Sequence, residues 1–390
     1  MSDHILTPEQ AEISSAVQKV LADFDDAYWH DCDEAKRFPE EFVKAMADGG
    51  WLGIAMPQSV GGAGLGLGEA AAMMQAVTES GAGFTGASAI HLNIFGLMPL
   101  IRFGTDEQRA RHLPRVLAGE DRVCFGVTEP DSGLDTTSLK TFATKKPGGG
   151  WRINGRKMWT SGAQTATKIL IIVRTTPKEQ CAKPTEGLSL FYTDLDRSKV
   201  DVRRIPKMGR NAVDTNAVFI DDLDVPDEDL VGEVGKGFRY LLHGLNPERV
   251  LFAAESVGLG RAALRKASDY ARDRTVFGRP IGQNQGIQHP LAKCWMDLEA
   301  ANLMAFQAAR LFDADQECGS FANAAKYLGA EAGFHACETA VLTHGGMGYA
   351  REFHVERYFR ESMIARIAPV SREMIFSYIA ERELGQKKSY

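Results

Sequence analysis

Glu248 and Arg249 stand side by side in GLNPERVLFAAESVG, Gly244 to Gly258, and valine, leucine, phenylalanine and alanines follow at once. A charged pair at the mouth of such an apolar run is either a helix cap or a working group. As a cap, Asn246 is the N-cap, Pro247 takes the first helical position and Glu248 favours the positive end of the helix dipole. As a working group, Glu248 is a base able to accept a proton. This stretch alone leaves both open.

Two further strings carry groups suited to holding a polar heterocycle or a phosphate. CFGVTEPDSGLD, Cys124 to Asp135, leaves a strand and enters a turn-rich loop with hydroxyl and backbone donors close together. GRKMWTSGAQTA sets Trp159 beside two hydroxyls at a strand end, an aromatic face suited to a flat cofactor or, equally, to core packing. Two glycine-rich strings do not qualify as phosphate loops. GGAGLGLGEA never spells GxGxxG, and GLGRAA, Gly258 to Ala263, lies inside a helical pattern, where small residues serve close packing.

The elements that must position these groups fall into three regions. Residues 1–120 read as a helical domain, with Thr7 and Thr105 as N-caps and Pro39 opening a short helix closed by Gly49-Gly50. Residues 121–232 turn to short Val-, Ile-, Phe- and Thr-rich runs broken by Gly, Pro and Asp, which predicts an antiparallel β domain with a hairpin tip at KKPGGGW. Residues 233–390 return to long Ala- and Leu-rich helical stretches, enough for a bundle. Strand–helix alternation is lacking, so a doubly wound sheet is a poor fit.

Composition excludes several partners. The 390 residues are 44% hydrophobic and 25% charged with a net charge of −6, which argues against nucleic acid. No window reads as an unbroken membrane span, and the acidic start shows neither signal nor transit features, so a cytoplasmic location is expected. The six cysteines are scattered and expected to be reduced, and no cluster has metal-ligand spacing.

Taken as a set, the two cofactor strings, with GWLGIAMPQSVGGAGLG, FGTDEQRARHLPRVLAGE, RTVFGRPIGQNQGIQ and THGGMGYAREFHVERYFRES, resemble the acyl-CoA dehydrogenase family in order and spacing over nearly the whole chain. The resemblance implies an N-terminal helical domain, a middle β domain and a C-terminal four-helix bundle, with FAD between the last two. It implies a homotetramer, an acyl-CoA substrate and electron-transfer flavoprotein as oxidant. Phe125, Val127 and Thr128 match the strand lining the flavin, Trp159 the tryptophan packed on it, and Ser161 the hydroxyl that reaches flavin N5. Arg274, Phe277 and Gln285 match residues holding a neighbouring subunit's FAD, and Gly345 and Gly346 match the diglycine that lets cofactor approach the backbone.

Three departures matter. Leu134 replaces a serine that commonly binds cofactor phosphate, and Leu342 stands where a glutamine often precedes the diglycine. In RESMIARIAPVSREM the position of the family's usual catalytic glutamate is Pro369, which has neither a carboxylate nor the N–H that would help hold the thioester oxygen. Isovaleryl-CoA and long-chain members take the glutamate instead from a helix, directly before an arginine, and Glu248-Arg249 match that placement. Asn246 matches a contact to the CoA moiety, with Arg249 beside it. The implied reaction is α,β-dehydrogenation, Glu248 taking the α-proton and hydride passing to flavin N5. A desulfinase or monooxygenase on the same fold, or a non-catalytic FAD-binding subunit, are the competing functions. Ile94, Phe95, Leu97 and Met98 are expected at the acyl pocket, and Glu373 is the nearest rival base.

Overall fold

Thr7 opens the first helix by a reciprocal cap: its hydroxyl accepts from the Gln10 N–H, and the Gln10 side chain accepts from the Thr7 N–H. Thr105 and Gln108 repeat the device. The computed structural model describes residues 5–388. The N-terminal region holds α1 (Pro8–Leu21), α2 (Asp26–Ala35), α3 (Glu40–Asp48), α4 (Leu67–Val77), α5 (Gly83–His91), α6 (Met98–Phe103) and α7 (Asp106–Leu117). Single π-helical turns, Thr78–Ala82 and Leu92–Gly96, follow α4 and α5. From Leu67 to Phe103 this stretch is long and apolar enough to cross a membrane, against the sequence expectation, yet 72% of its most apolar window is buried inside the protein. It is apolar all round because it packs against other elements on more than one side.

The middle region is one eight-stranded sheet: β1 (Val123–Gly126), β2 (Phe142–Lys145), β3 (Trp151–Ser161), β4 (Lys168–Arg174), β5 (Leu188–Asp194), β6 (Val200–Arg204), β7 (Thr215–Val225) and β8 (Leu230–Val231). The expected hairpin tip joins β2 to β3. Pairing is antiparallel except that β1, and one end of β2, run parallel to β4. The strand residues alternate as a pleated sheet requires. Ile169, Ile171 and Val173 of β4 face the β domain's own core, whereas Leu170 and Ile172 meet Leu97, Leu100, Leu113 and Val116 of the helical domain.

The C-terminal region begins with α8 (Gly237–Asp273), followed by the hairpin β9 (Thr275–Val276) and β10 (Arg279–Pro280), then α9 (Gln285–Asp313), α10 (Gly319–His344), α11 (Val355–Ile367) and α12 (Arg372–Arg382). Helices α8 to α11 pack together as the bundle. GLGRAA is helical and tightly packed, as its small residues suggested. A Cβ on Gly258 would stand 2.1 Å from Thr78 Oγ1, and one on Gly260 2.5 Å from Leu298 Cδ2.

One local expectation fails. Asn246 is not an N-cap and Pro247 does not open a helix, because α8 starts ten residues earlier, at Gly237 after Lys236, and runs through Pro247. An interior proline loses a hydrogen bond and crowds the preceding turn. Burial of Tyr240, Leu241, Val250 and Leu251 on either side of it outweighs that penalty.

Candidate active site

Glu248 therefore sits in mid-helix, away from any free helix terminus, which removes the cap as the reason for its presence. Its side chain is mostly enclosed, and burial pushes its pKa up to about 7. His91, Arg249 and Lys326 oppose that rise, and Glu255, two turns further along α8, adds to it. A carboxyl group whose pKa lies near working pH is suited to taking and releasing a proton. Arg249 Nη1 donates to Asn246 Oδ1 at 2.8 Å, which ties these two residues together on one edge of α8. Asn246 in turn faces Cys318 at the start of α10, its amide 3.6 Å from the sulfur.

The π-helical turn Leu92–Gly96 packs on both α8 and β1. Phe95 of that turn meets Phe125 of β1 with ring centroids 6.3 Å apart. This turn is thereby the link between α8 and β1. Phe125 and Val127 lie on the partly open side of β1, whereas Cys124 and Gly126 are buried. Trp159 is 56% exposed and adopts φ of +63°, a backbone region that bulky residues avoid. Trp159 thus breaks the inward–outward alternation near the end of β3 and presents its ring to solvent. Ser161 lines a cleft between β3 and α5 together with Ser88, Leu92 and Asn93. Thr128 accepts from the Met158 N–H at 2.8 Å, bringing the two cofactor strings together.

Other residues do not converge on this cleft. Arg274, Phe277 and Gln285 lie around the β9–β10 hairpin, exposed and far along α8 from Glu248; Phe277 is fully exposed with φ of +52°. Gly345, with φ of +60°, ends α10, and open space surrounds both it and Gly346. Of the expected acyl-pocket residues, Ile94, Phe95 and Met98 line an apolar cavity with Pro247 and Leu251. Leu97 does not; it is fully buried between the helical and β domains.

Family models match the chain in three consecutive blocks: the acyl-CoA dehydrogenase N-terminal domain over residues 7–120, the middle domain over 124–223 and the C-terminal domain over 235–384. The chain belongs to the acyl-CoA dehydrogenase family. An acyl-CoA dehydrogenase of Mycobacterium bovis, fadE12, is 34% identical over 99% of this chain and 98% of its own. Subunit CarC of a caffeyl-CoA reductase–Etf complex from Acetobacterium woodii is 32% identical over 86% and 87%. The solved glutaryl-coenzyme A dehydrogenase–glutaryl-CoA complex superposes with a TM-score of 0.90 at 29% identity, covering 100% of this chain and 98% of that one. The family's reaction is flavin-dependent dehydrogenation of an acyl-CoA, and that is the activity class of this chain.

Two residues near the site were not anticipated. Lys157, fully buried, donates to Glu129 Oε1 at 2.9 Å and to the Val127 carbonyl at 3.0 Å. Its signal was present, since Trp151, Ile153, Gly155 and Lys157 share the inward phase of β3. Lys326, buried on α10, donates to the Val370 carbonyl at 2.6 Å and so fixes the segment after Pro369. Burial, with Arg249 nearby, pushes its pKa down to about 8. Glu373, the rival base, is exposed at the start of α12 and paired with Arg372 at 2.7 Å, which holds its carboxyl below the usual range. Glu373→Gln should therefore reduce its flavin at close to the normal rate in a stopped-flow assay.

Proposed function

We propose that the chain is an FAD-dependent acyl-CoA dehydrogenase in which Glu248 removes the α-proton of the thioester. The observation that carries this reading is the enclosed Glu248 carboxyl, raised to about 7, beside the helix–strand junction that holds the cofactor strings. Bound flavin supplies the hydride acceptor at N5. The chain's own groups do the rest. Phe125, Val127, Thr128 and Trp159 offer the cofactor a bed, and the Ser161 hydroxyl is the donor toward N5. Asn246 and Arg249 receive the CoA side of the substrate. Pro369 removes one backbone donor from the thioester oxygen, and the Val370 N–H is the replacement: no acceptor is assigned to it among the described residues, and its own carbonyl is pinned by Lys326.

The flavin is FAD, and the assembly is a homotetramer. The exposed Arg274, Phe277 and Gln285 support this, since polar and aromatic groups so placed on one chain suit a neighbour's dinucleotide. Arg274→Ala should release FAD more readily than Lys293→Ala on dilution, because Lys293 is engaged with Asp297 on α9. A flavin-loaded monomer in a mass measurement would exclude the shared site. The oxidant is an electron-transfer flavoprotein, as the name of the Acetobacterium relative suggests.

The deciding experiment is anaerobic addition of straight, branched and aromatic acyl-CoAs to the purified yellow protein. Bleaching by one class identifies the substrate. A yellow protein that no acyl-CoA bleaches would point to the desulfinase, monooxygenase or partner-subunit functions instead.

A further inference from the structure

Glu255 is a charged residue in the middle of a buried helix run, and the structure gives it a partner 164 residues away. His91 Nδ1 stands 2.6 Å from Glu255 Oε1, and both side chains are buried, 8% and 1% exposed. The opposite ring nitrogen, Nε2, is sealed from solvent and has no hydrogen-bond partner among the described residues. A buried polar atom left unpaired costs about 1–3 kcal/mol, so an orphan of this kind needs an explanation.

Its position supplies one. Glu248, Phe252 and Glu255 follow the spacing that puts residues on one face of α8. The imidazole lies against that face, 5.1 Å from the Phe252 ring, and 4.5 Å from Phe95, which itself meets Phe125 on β1. His91 thus stands in the wall between α8 and β1, behind Phe95, which lines the apolar cavity with Ile94 and Met98. An acyl group whose α- and β-carbons lie between Glu248 and the cofactor extends toward this wall, the CoA leaving on the Asn246–Arg249 side.

We propose that the His91–Glu255 pair is the polar inner end of the acyl cleft and receives a hydroxyl group carried by the acyl chain. The location of the acyl group rests on the dehydrogenase function above. Glu255 holds Nδ1, which leaves Nε2 as the free hydrogen-bonding atom of the ring. A hydroxyl can donate to Nε2 or accept from it. A carboxylate would meet the negative charge of Glu255, and Phe95 and Phe252 favour an aromatic or aliphatic stem over a charged one.

The test uses matched pairs on the FAD-loaded protein: 3-phenylpropionyl-CoA against 3-(4-hydroxyphenyl)propionyl-CoA, and hexanoyl-CoA against 6-hydroxyhexanoyl-CoA. Binding is read from the flavin absorbance change in Glu248→Gln, which holds substrate without turning it over. At least one hydroxylated member should bind on the order of tenfold more tightly than its partner. Because His91→Phe alone strands the Glu255 carboxylate, the comparison is His91→Phe/Glu255→Leu in the same background, where the ratio should fall to about one. Equal binding within both pairs, or no binding of either, overturns the subsite and assigns Nε2 to a buried water. A preference that survives the double substitution also overturns it. If the binding preference holds but neither pair bleaches protein that retains Glu248, the dehydrogenation step is wrong and the subsite stands.

Discussion

Replacing Glu248 with glutamine should leave the protein folded, yellow and able to bind acyl-CoA, yet slow flavin reduction by about a hundred- to ten-thousandfold. Glutamine keeps the shape but accepts no proton. Single-turnover reduction under anaerobic conditions isolates this step, and a near-normal rate in Glu248→Gln would discard the assignment. The pH profile gives an independent check. The base works ionised, so the wild-type reduction rate should climb with pH and level off above about 7, the value to which burial raises the carboxyl. The same shift bears on stability. A carboxyl with a folded pKa above its unfolded one, roughly 4.3, stabilises the fold only while protonated. Its burden on folding therefore grows as pH rises from about 4 through about 7. Glu248→Gln, which carries no charge at any pH, should melt higher than wild type at pH 8 and about equally near pH 4.

The second large effect concerns Lys157. Its ammonium is completely buried and held by the Glu129 carboxylate and the Val127 carbonyl. Glu129 also accepts from the backbone N–H groups of Lys140 and Thr141, at 2.7 and 3.0 Å. One carboxylate thus fastens both ends of the loop that carries DSGLD to the strand that carries MWTS. Burial pushes the lysine pKa down to about 8 against the pull of Glu129. Burial alone would raise the Glu129 pKa, but Lys157, Thr141 and Lys140 together hold it below the usual carboxylate range. Lys157→Met leaves that carboxylate buried without its counter-charge, and removal of one partner from such a pair costs about 3–5 kcal/mol. Equilibrium denaturation should show this loss. Lys157→Met/Glu129→Leu should recover a substantial part of it, because no charge is then stranded. A single substitution as stable as wild type would show that the pair is not a clasp. FAD retention should fall with Lys157→Met as well, since the loop and strand it joins are those assigned to the cofactor.

The fold was legible wherever a pattern is local. The Thr7 and Thr105 caps, the hairpin tip before Trp151 and the helical placement of Gly258 to Ala263 depend on residues a few positions apart, and each was found where the pattern placed it. The start of α8 was misread because Asn-Pro-Glu is a strong local start signal, and only packing on both sides of Pro247 carries the helix through it. The parallel β1–β4 pair was missed for a related reason: pairing direction is set by connections across about forty residues, which strand patterns do not record.

The three-region order and the family were legible in the sequence alone, because six motifs in register constrain one another. Tertiary structure alone decided the electrostatics. His91 and Glu255, Lys157 and Glu129, and Lys326 with the Val370 carbonyl are partners separated by 28 to 164 residues. A charge in an apolar run shows that a partner must exist, since an unpaired buried charge is too costly to keep. Which residue answers it depends on how the elements pack, and so does the raised pKa of Glu248, which comes from enclosure that no neighbour in sequence provides.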